Sequence, residues 1–387
     1  MKFLLIIFSI IYLNLSNINC LANETDQNES VLKVGLIVPL TGKDQKIGKS
    51  VLNSMRLALS KINDELIEIF PMDNNSNPEK TLLAAKRLEN EGIKIVIGPI
   101  FHKNLIYLEE IENIIFLSLS NKTKSIPKNV ITIGINADSQ INTIVNFLKK
   151  EKLNKTIVLI PKSSFENELK KALVNSKHKF LNIYSYDVDP GKLTSQIRQI
   201  TSYKERKENL ERRIKILEKS ETEINKRKLE DLKKKYTLGK VEFDSVVIAD
   251  FGENLKSVAT SLSYSDVTAQ DVKFIALNQW FDKSLFKEIS MQQMFFPSIN
   301  LTNYLKFKES YFKTYGDYPS EISILSYDIM GLIYYSVRVQ KDSIEKYIFN
   351  NKKNYIGESG EFSFDNKKIN HKLNMYQVVE KKFLEIK

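Results

Sequence analysis

Cysteine is almost absent from this chain of 387 residues, because Cys20 is the only one. If a leader is removed after Ala22, the mature protein has no thiol, which excludes disulfides and thiolate metal sites. A chain of this length buries enough apolar surface to fold without such cross-links. Its composition, 42% hydrophobic and 27% charged, is that of an ordinary globular protein with room for two domains.

Motifs for catalysis are absent too. The three histidines, His102, His178 and His371, are far apart in the sequence, and none belongs to an HExxH or HxH pattern. There is no Gly-x-Ser-x-Gly elbow, no P-loop and no GxGxxG after a predicted strand. We therefore expect a protein that is not an enzyme and that carries no metal or cofactor.

The N-terminal hydrophobic run, Phe3–Leu13, is too short to cross a bilayer comfortably. It follows a short basic region that starts at Met1-Lys2, and it precedes Cys20-Leu21-Ala22, which resembles a small-x-small cleavage site. This pattern predicts a cleaved signal peptide over residues 1–22, a polar linker over 23–30, and a periplasmic mature protein.

A lipoprotein leader is the alternative, with cleavage just before Cys20 and a lipid on its thiol. Such leaders usually have an aliphatic residue three places before the cysteine and a small residue directly before it. Those places hold Asn17 and Asn19. The sequence therefore favours the cleaved, unanchored form.

Basic residues exceed acidic ones, 58 against 47, which gives a net charge of +11 and a pI of about 9.2. Such a balance suits acidic partners, but a composition rich in Lys and Asn produces it as well. We expect no nucleic-acid partner.

Strands and helices alternate along the first third of the chain. The stretch VGLIVPLTGKDQKIG, which starts at Val34, joins a buried strand (Val31–Leu40) to a helix (Lys49–Asn63). Asn77-Pro78 begins the next helix, and His102–Asn113 is expected to be helical as well. Because the strands are apolar on both faces, the pattern predicts a parallel sheet covered by helices on both sides.

The same alternation of strands and helices restarts at Asp138. It ends in two long helices, Leu305–Tyr315 and Ile322–Val339. We therefore predict two α/β lobes. The first comprises residues 31–136 and 300–359, and the second residues 137–299 and 360–387. The chain would cross between them near Asn136, Ser298 and Gly360.

A charged segment, residues 204–235, interrupts the second series. It has no Gly or Pro and contains thirteen Lys and Arg against eight Asp and Glu. Leu210, Ile214, Leu217 and Ile224 form a narrow apolar seam, which predicts a helical hairpin or one long helix. It is either a solvated insertion or an arm that grips a protein or membrane.

As a set, these features resemble the type I periplasmic solute-binding proteins. The opening stretch is similar to the family's first strand–loop–helix unit, and MDNNSNPEKTLLAAKRLENEGIKIVIGPI to the next units, which end in a Gly-Pro loop. The resemblance covers most of Val31 to Gln340. It implies two Rossmann-like lobes, joined by hinge strands, that bind a ligand between them.

The resemblance implies a ligand site on the loops that face the cleft. The first lobe would contribute the Thr41-Gly42 turn, for which a plain strand-to-helix turn is the alternative. It would also contribute the Gly-Pro loop, with His102 at the usual hydroxyl position, and the loop after the fourth strand. The second lobe would contribute an aromatic wall, an acid for a ligand ammonium, and the residues after a strand at Trp280, where an ordinary turn is the alternative. The candidates are Thr41, Gly42, Gly98, Pro99, His102, Ser118, Ser120, Thr123, Phe165, Asp250, Trp280 and Asp282.

Two functions remain open. One is a periplasmic receptor that captures a small polar ligand, such as an amino acid, and delivers it to the membrane permease of an ABC importer. The other follows from a resemblance to the penicillin-binding-protein activators, which share the fold and dock on cell-wall synthases. The cleft residues favour the first, whereas the charged insertion and His102 in place of a hydroxyl favour the second.

Overall fold

The computed structural model describes residues 31–219, 222–341, 353–365 and 367–386. The predicted signal peptide and linker lie outside these ranges. The strands, in chain order, are β1 (Leu32–Val38), β2 (Ile67–Asp73), β3 (Ile95–Ile97), β4 (Ile115–Ser118), β5 (Val130–Thr132), β6 (Thr156–Pro161), β7 (Asn182–Tyr186), β8 (Ser245–Ile248), β9 (Lys273–Ala276), β10 (Phe295–Ser298), β11 (Asn354–Gly357), β12 (Gly360–Asp365), β13 (Lys368–His371), β14 (Asn374–Val379) and β15 (Lys382–Ile386).

The α-helices are α1 (Gln45–Ile62), α2 (Pro78–Asn90), α3 (Ala137–Lys150), α4 (Glu166–Asn175), α5 (Pro190–Ile200), α6 (Tyr203–Glu218), α7 (Glu223–Lys233), α8 (Gly252–Tyr264), α9 (Leu301–Tyr315) and α10 (Ser323–Tyr334). A π-helical turn, Tyr335–Val339, extends α10. Within the described ranges, no helix is long and apolar enough to span a membrane.

The strands form two sheets, one for each lobe. In the first sheet the order is β11-β12-β13-β5-β4-β3-β1-β2, and in the second it is β15-β14-β10-β9-β8-β6-β7. Strands β1 to β5 are parallel to one another, as are β6 to β10, whereas the C-terminal strands add antiparallel pairs at one edge of each sheet. The predicted two-lobed α/β architecture is confirmed.

The first lobe follows the sequence pattern closely. In β1, the neighbouring residues Leu36 and Ile37 point to opposite faces and are both completely buried, as expected for a strand covered on both faces. Helix α2 begins as predicted: Asn77 accepts a hydrogen bond from the Lys80 amide (2.8 Å), and Pro78 occupies the first turn.

The two long C-terminal helices pack on the first lobe. The Tyr315 hydroxyl donates to the Asn53 carbonyl (3.0 Å), and the Ser320 amide donates to Ser50 Oγ (2.7 Å), so α9 and the following loop are fixed to α1. Helix α10 lies against the same helix, with Ser326 Oγ donating to the Val51 carbonyl (3.4 Å). The chain thus returns to the first lobe after β10.

The return to the second lobe comes later than the sequence suggested. We expected it near Gly360, but β12 and β13 both belong to the first sheet, where Lys368 pairs with Thr132. Only β14 and β15 join the second sheet. The alternating pattern of these short strands fits the edge of either sheet, and the pairing partner is a long-range choice that spacing does not encode.

Two local predictions also change. Residues 102–113 form two short 3-10 turns, His102–Leu105 and Leu108–Glu110, in place of one helix. The Asn129 side chain donates to the carbonyls of Leu108 and Ile111 (2.9 and 2.6 Å), which removes them from a helical ladder. The second series starts with Asn136 as the helix cap, through a 2.9 Å bond from the Ser139 amide, and not with Asp138.

The charged insertion forms a helical hairpin, α6 and α7, on the second lobe. Helix α7 has no buried residue, whereas α6 buries Arg206, Leu210 and Leu217. The Arg206 guanidinium donates to the carbonyls of Thr201 (3.0 Å), Ser265 (2.5 Å) and Asp266 (3.3 Å) and to Thr237 Oγ1 (3.0 Å). The base of the hairpin is therefore fixed by one buried cation.

Candidate functional site

A cleft of about 750 Å³ lies between the lobes, at the carboxyl ends of the central parallel strands. The first lobe lines it with the loops after β3 and β4 and with the loop between α9 and α10. The second lobe lines it with the start of α3 and the loops after β6, β8 and β9. The lining residues that matter here are Phe101, His102, Ser120, Asn121, Lys122, Gln140, Phe165, Phe251, Asn278, Gln279, Trp280, Asp282 and Glu321.

Aromatic side chains from both lobes form much of the wall. Phe101 comes from the first lobe, and Phe165, Phe251 and Trp280 come from the second. Such rings offer a large apolar contact area at low cost in conformational entropy. The cleft can therefore hold the flat or apolar part of a small molecule.

The position of Trp280 depends on an unusual turn after β9. Trp280 and Phe281 both have positive φ angles, 48° and 58°. Asn278 Oδ1 accepts from the Trp280 amide (3.0 Å) and from Ser298 Oγ (2.8 Å), and Phe281 is buried in an aromatic cluster with Tyr376. These contacts hold a strained turn, which keeps the half-buried Trp280 at the cleft.

The buried polar groups of the cleft are hydrogen-bonded to one another. Gln140 Oε1 accepts from the Asn278 amide (2.8 Å), and Gln140 Nε2 donates to the carbonyls of Ile135 and Asn136. Gln279 Nε2 donates to the Asp250 carbonyl (3.1 Å). These bonds make the floor of the cleft a rigid, preformed surface.

Five of the twelve candidate residues line the cleft: His102, Ser120, Phe165, Trp280 and Asp282. His102 Nε2 donates to the Lys124 carbonyl (2.8 Å), so its ring also braces the loop after β4. Asp282 is exposed at the rim, and its carboxylate accepts from the Ser284 amide and hydroxyl (2.8 and 2.6 Å).

Thr41 and Gly42 do not line the cleft, contrary to our expectation. The Thr41 hydroxyl donates to Asp73 Oδ2 (2.5 Å), and Gly42, at φ +76°, shapes an exposed turn. Partial burial raises the pKa of Asp73, but hydrogen bonds from Thr41, Asn75 and Leu40 outweigh it and bring the pKa below its usual value. The stretch that joins β1 to α1 is thus a self-contained turn.

Asp250 was the other acid that we expected to meet a ligand ammonium. It is buried and accepts from the Tyr186 hydroxyl (2.5 Å) and the Phe251 amide (2.8 Å), and it does not line the cleft. Burial raises its pKa, although the hydrogen bonds from Tyr186 and Phe251 oppose the shift. Its carboxylate is therefore hydrogen-bonded within the second lobe.

The remaining candidates shape loops and do not face the cleft. Gly98-Pro99 is a cis peptide, and the fully buried Ser118 donates from Oγ to the Pro99 carbonyl (2.8 Å). Thr123 bonds across to Glu168 in the second lobe (Oγ1 to Oε2, 2.9 Å).

Sequence reasoning missed several lining residues, notably Gln140, Lys122 and Phe251. Phe251 directly follows Asp250. The sequence therefore marked the end of β8 correctly, but we selected Asp250 as the cleft residue in place of Phe251. Gln140 lies within α3, where no sequence pattern marks it. Among the described residues, no group of three His, Cys, Asp or Glu side chains could hold a metal ion.

The fold and the cleft define a two-lobed binding protein. The family model for periplasmic binding proteins matches residues 31–341, so the chain belongs to the periplasmic binding protein family. No curated protein matches the chain.

Solved structures of two kinds share the fold. LivJ from Streptococcus pneumoniae, a branched-chain amino acid transporter substrate-binding protein in complex with isoleucine, has a TM-score of 0.59 and 15% identity, covering 92% of this chain and 99% of that chain. An ABC-transporter solute-binding protein from Rhodopseudomonas palustris with 3,4-dihydroxybenzoic acid has a TM-score of 0.60 and 14% identity (92% and 96% covered). The C-domain of LpoA from Haemophilus influenzae, a regulator of PBP1A, has a TM-score of 0.62 and 14% identity (92% and 100% covered). At these identities the likeness shows the fold.

Proposed function

We propose that the protein is an exported periplasmic receptor that captures a small polar ligand, an amino acid or a related compound, for an ABC-type importer. The observation that carries the proposal is the cleft of about 750 Å³ between the lobes. Ligand pockets have volumes of about 300–1,000 Å³, with apolar walls and a few polar groups. The aromatic wall and the rigid polar floor match that description.

The charges around the cleft suit a zwitterion. Lys122 and Lys103 bring positive charge from the first lobe, and Asp282 and Glu321 bring negative charge to the rim. An amino acid presents a carboxylate to the first pair and an ammonium to the second, while its side chain contacts Trp280 and Phe165. Of the two acids that we expected to meet a ligand ammonium, Asp282 keeps that role in this proposal, and Glu321 takes the place of Asp250.

A thermal-shift screen with amino acids and related polar metabolites tests the proposal. A ligand at a hundred times its dissociation constant adds about 2.7 kcal/mol to the free energy of unfolding. The shift should disappear in Trp280→Ala and persist in Thr41→Val, because Thr41 lies outside the cleft. A screen without any stabilising compound, or a shift that survives Trp280→Ala, would count against the proposal.

The α6–α7 hairpin favours a second candidate, an envelope protein that docks on a penicillin-binding protein. Helix α7 buries none of its residues, and Ile216 and Ile224 near the tip are 59% and 69% exposed. A surface helix with no role in the core is available to a partner. Pull-down of detergent-solubilised penicillin-binding proteins by the wild type, but not by a variant with residues 211–232 replaced by a Gly-Ser linker, would support this function.

A further inference from the structure

The carboxylate of Glu168 joins the two lobes beside the cleft. Glu168, in α4 of the second lobe, is only 6% exposed. Its Oε1 accepts from the amides of Thr123 (3.0 Å) and Lys124 (2.7 Å), and its Oε2 accepts from the Thr123 hydroxyl (2.9 Å). The donors all belong to the loop between β4 and β5, in the first lobe. Three converging donors around one carboxylate form a complete carboxylate-binding site.

The surrounding contacts hold this site in shape. Within the first lobe, His102 Nε2 donates to the Lys124 carbonyl (2.8 Å), and the Lys122 amide donates to Ser120 Oγ (3.1 Å). Two lysines of the same loop also reach the second lobe, where Lys122 Nζ donates to Ser164 Oγ (2.9 Å) and Lys124 Nζ donates to the Asn167 carbonyl (3.4 Å). The two contacts within the first lobe support the shape of the loop, and the two lysine contacts join it to the second lobe beside Glu168.

We propose that the loop containing Thr123 and Lys124 is a carboxylate-binding site that the protein fills with its own Glu168, and that this contact clamps the lobes together without a ligand. Glu168 is a positioning residue, because it sets the distance between the lobes and does not line the cleft. The proposal goes beyond the transport function, since it concerns the ligand-free protein.

The physical reason is the high cost of leaving a buried carboxylate or amide without a partner. The three bonds form only while α4 and the loop are in contact, so they stabilise the closed arrangement and contribute nothing to an open one. A ligand carboxylate also cannot use these amides while Glu168 occupies them. The ligand must bind through other groups, such as Lys122.

Trp280, the only tryptophan of the chain, reports on closure because it lines the cleft. We would measure acrylamide quenching of its fluorescence, and the radius of gyration by small-angle X-ray scattering, for the ligand-free wild type and for Glu168→Ala. The variant should show a quenching constant at least about twofold higher and a larger radius of gyration, because its population shifts toward the open form. Glu168→Gln keeps a side-chain oxygen that can accept from the Thr123 and Lys124 amides, so its quenching constant and radius of gyration should lie between those of the wild type and Glu168→Ala.

Glu166→Ala is the matched control. Glu166 lies on the same helix but bonds only within the second lobe, to Lys170 Nζ (2.6 Å) and Ser185 Oγ (2.7 Å), so both readouts should equal those of the wild type. Should Glu168→Ala fail to fold, Thr123→Val removes only the hydroxyl bond and should give a smaller change in the same direction. Equal quenching and equal radius of gyration in the wild type and the Glu168 or Thr123 variant would overturn the clamp, whatever ligand the cleft binds.

Discussion

At the residue scale, Gly48 shows how closely the stretch from Pro39 to α1 is packed. An alanine Cβ at this position would lie 1.9 Å from the Pro39 carbonyl oxygen, a backbone atom that cannot move aside cheaply. The last glycine of the opening stretch is thus required by close approach of the backbone and not by a ligand.

We predict that Gly48→Ala lowers the free energy of unfolding by about 1–3 kcal/mol, the usual cost of overpacking. Gly331→Ala is the control, because Gly331 lies in α10 with no atom within 4 Å of the added Cβ. That change should raise the free energy of unfolding by about 0.5–1 kcal/mol, since alanine is the better helix former. Urea denaturation measures both, and equal effects of the two substitutions would contradict the packing argument.

His371 makes a pH-dependent contribution to stability. Burial lowers its pKa to about 4, against a weaker opposing effect of the hydrogen bond to the Ile133 carbonyl (3.0 Å). Between pH 6.5 and 4 the unfolded chain binds a proton that the folded protein excludes, so stability is lost as the pH falls through this window. The nearby Asp328 acts in the opposite sense, because burial raises its pKa to about 6.

We therefore compare the wild type with His371→Gln, which keeps an N–H donor and also retains Asp328. The difference in free energy of unfolding between the two proteins should fall by up to about 3 kcal/mol as the pH is lowered from 7 to 4. Urea titrations across this range measure it. A difference that stays constant with pH would mean that His371 has the same pKa in the folded protein as in the unfolded chain.

At the element scale, the α6–α7 hairpin separates an anchor from an arm. A purely solvated insertion over residues 204–235 would be dispensable for folding, but the buried Arg206 limits this to the outer part. Arg206 satisfies three backbone carbonyls and the Thr237 hydroxyl. The helices beyond Leu210 bury only Leu217 among their described residues.

We predict that Arg206→Met destabilises the protein more than removal of the arm does. The substitution leaves several acceptors without donors and should cost about 3 kcal/mol. Replacement of residues 211–232 by a Gly-Ser linker keeps Arg206 and should lower Tm by only a few degrees. Thermal unfolding monitored by circular dichroism compares the two variants, and a larger loss for the truncated arm would place the arm in the core.

At the scale of the whole molecule, the last residues complete a sheet that begins far away in the sequence. Strand β14 pairs with β10, and the Tyr376 hydroxyl donates to the Ile299 carbonyl (2.9 Å) and accepts from the Leu301 amide (3.0 Å). Tyr376 and Val378 are completely buried. Strand β14 is therefore part of the core of the second lobe.

We predict that deletion of residues 373–387 unfolds or aggregates the protein, because it exposes the β10 edge and the aromatic cluster around Phe281. The arm-truncated variant serves as the comparison, since it loses more residues and should stay folded. Size-exclusion chromatography and Trp280 fluorescence distinguish the two results. A soluble, folded C-terminal deletion would contradict the topology.

The sequence by itself determined the elements and their class. Strands such as β1 are apolar on both faces, and helix starts such as Asn77-Pro78 carry their own cap, so local periodicity and capping suffice to predict two parallel α/β units. It also located part of the cleft, because His102, Ser120 and Trp280 follow strand ends, where parallel sheets present their loops.

Only the tertiary structure decided which sheet the last strands join and where each loop side chain points. The Lys368–Thr132 pairing that places β13 in the first sheet joins residues distant in the chain, and no spacing rule encodes it. Asp250 and Phe251 are neighbours, yet one bonds to Tyr186 and the other lines the cleft. The direction of a side chain depends on partners that the fold brings together, as it does for Thr123 and Glu168, which lie on opposite lobes.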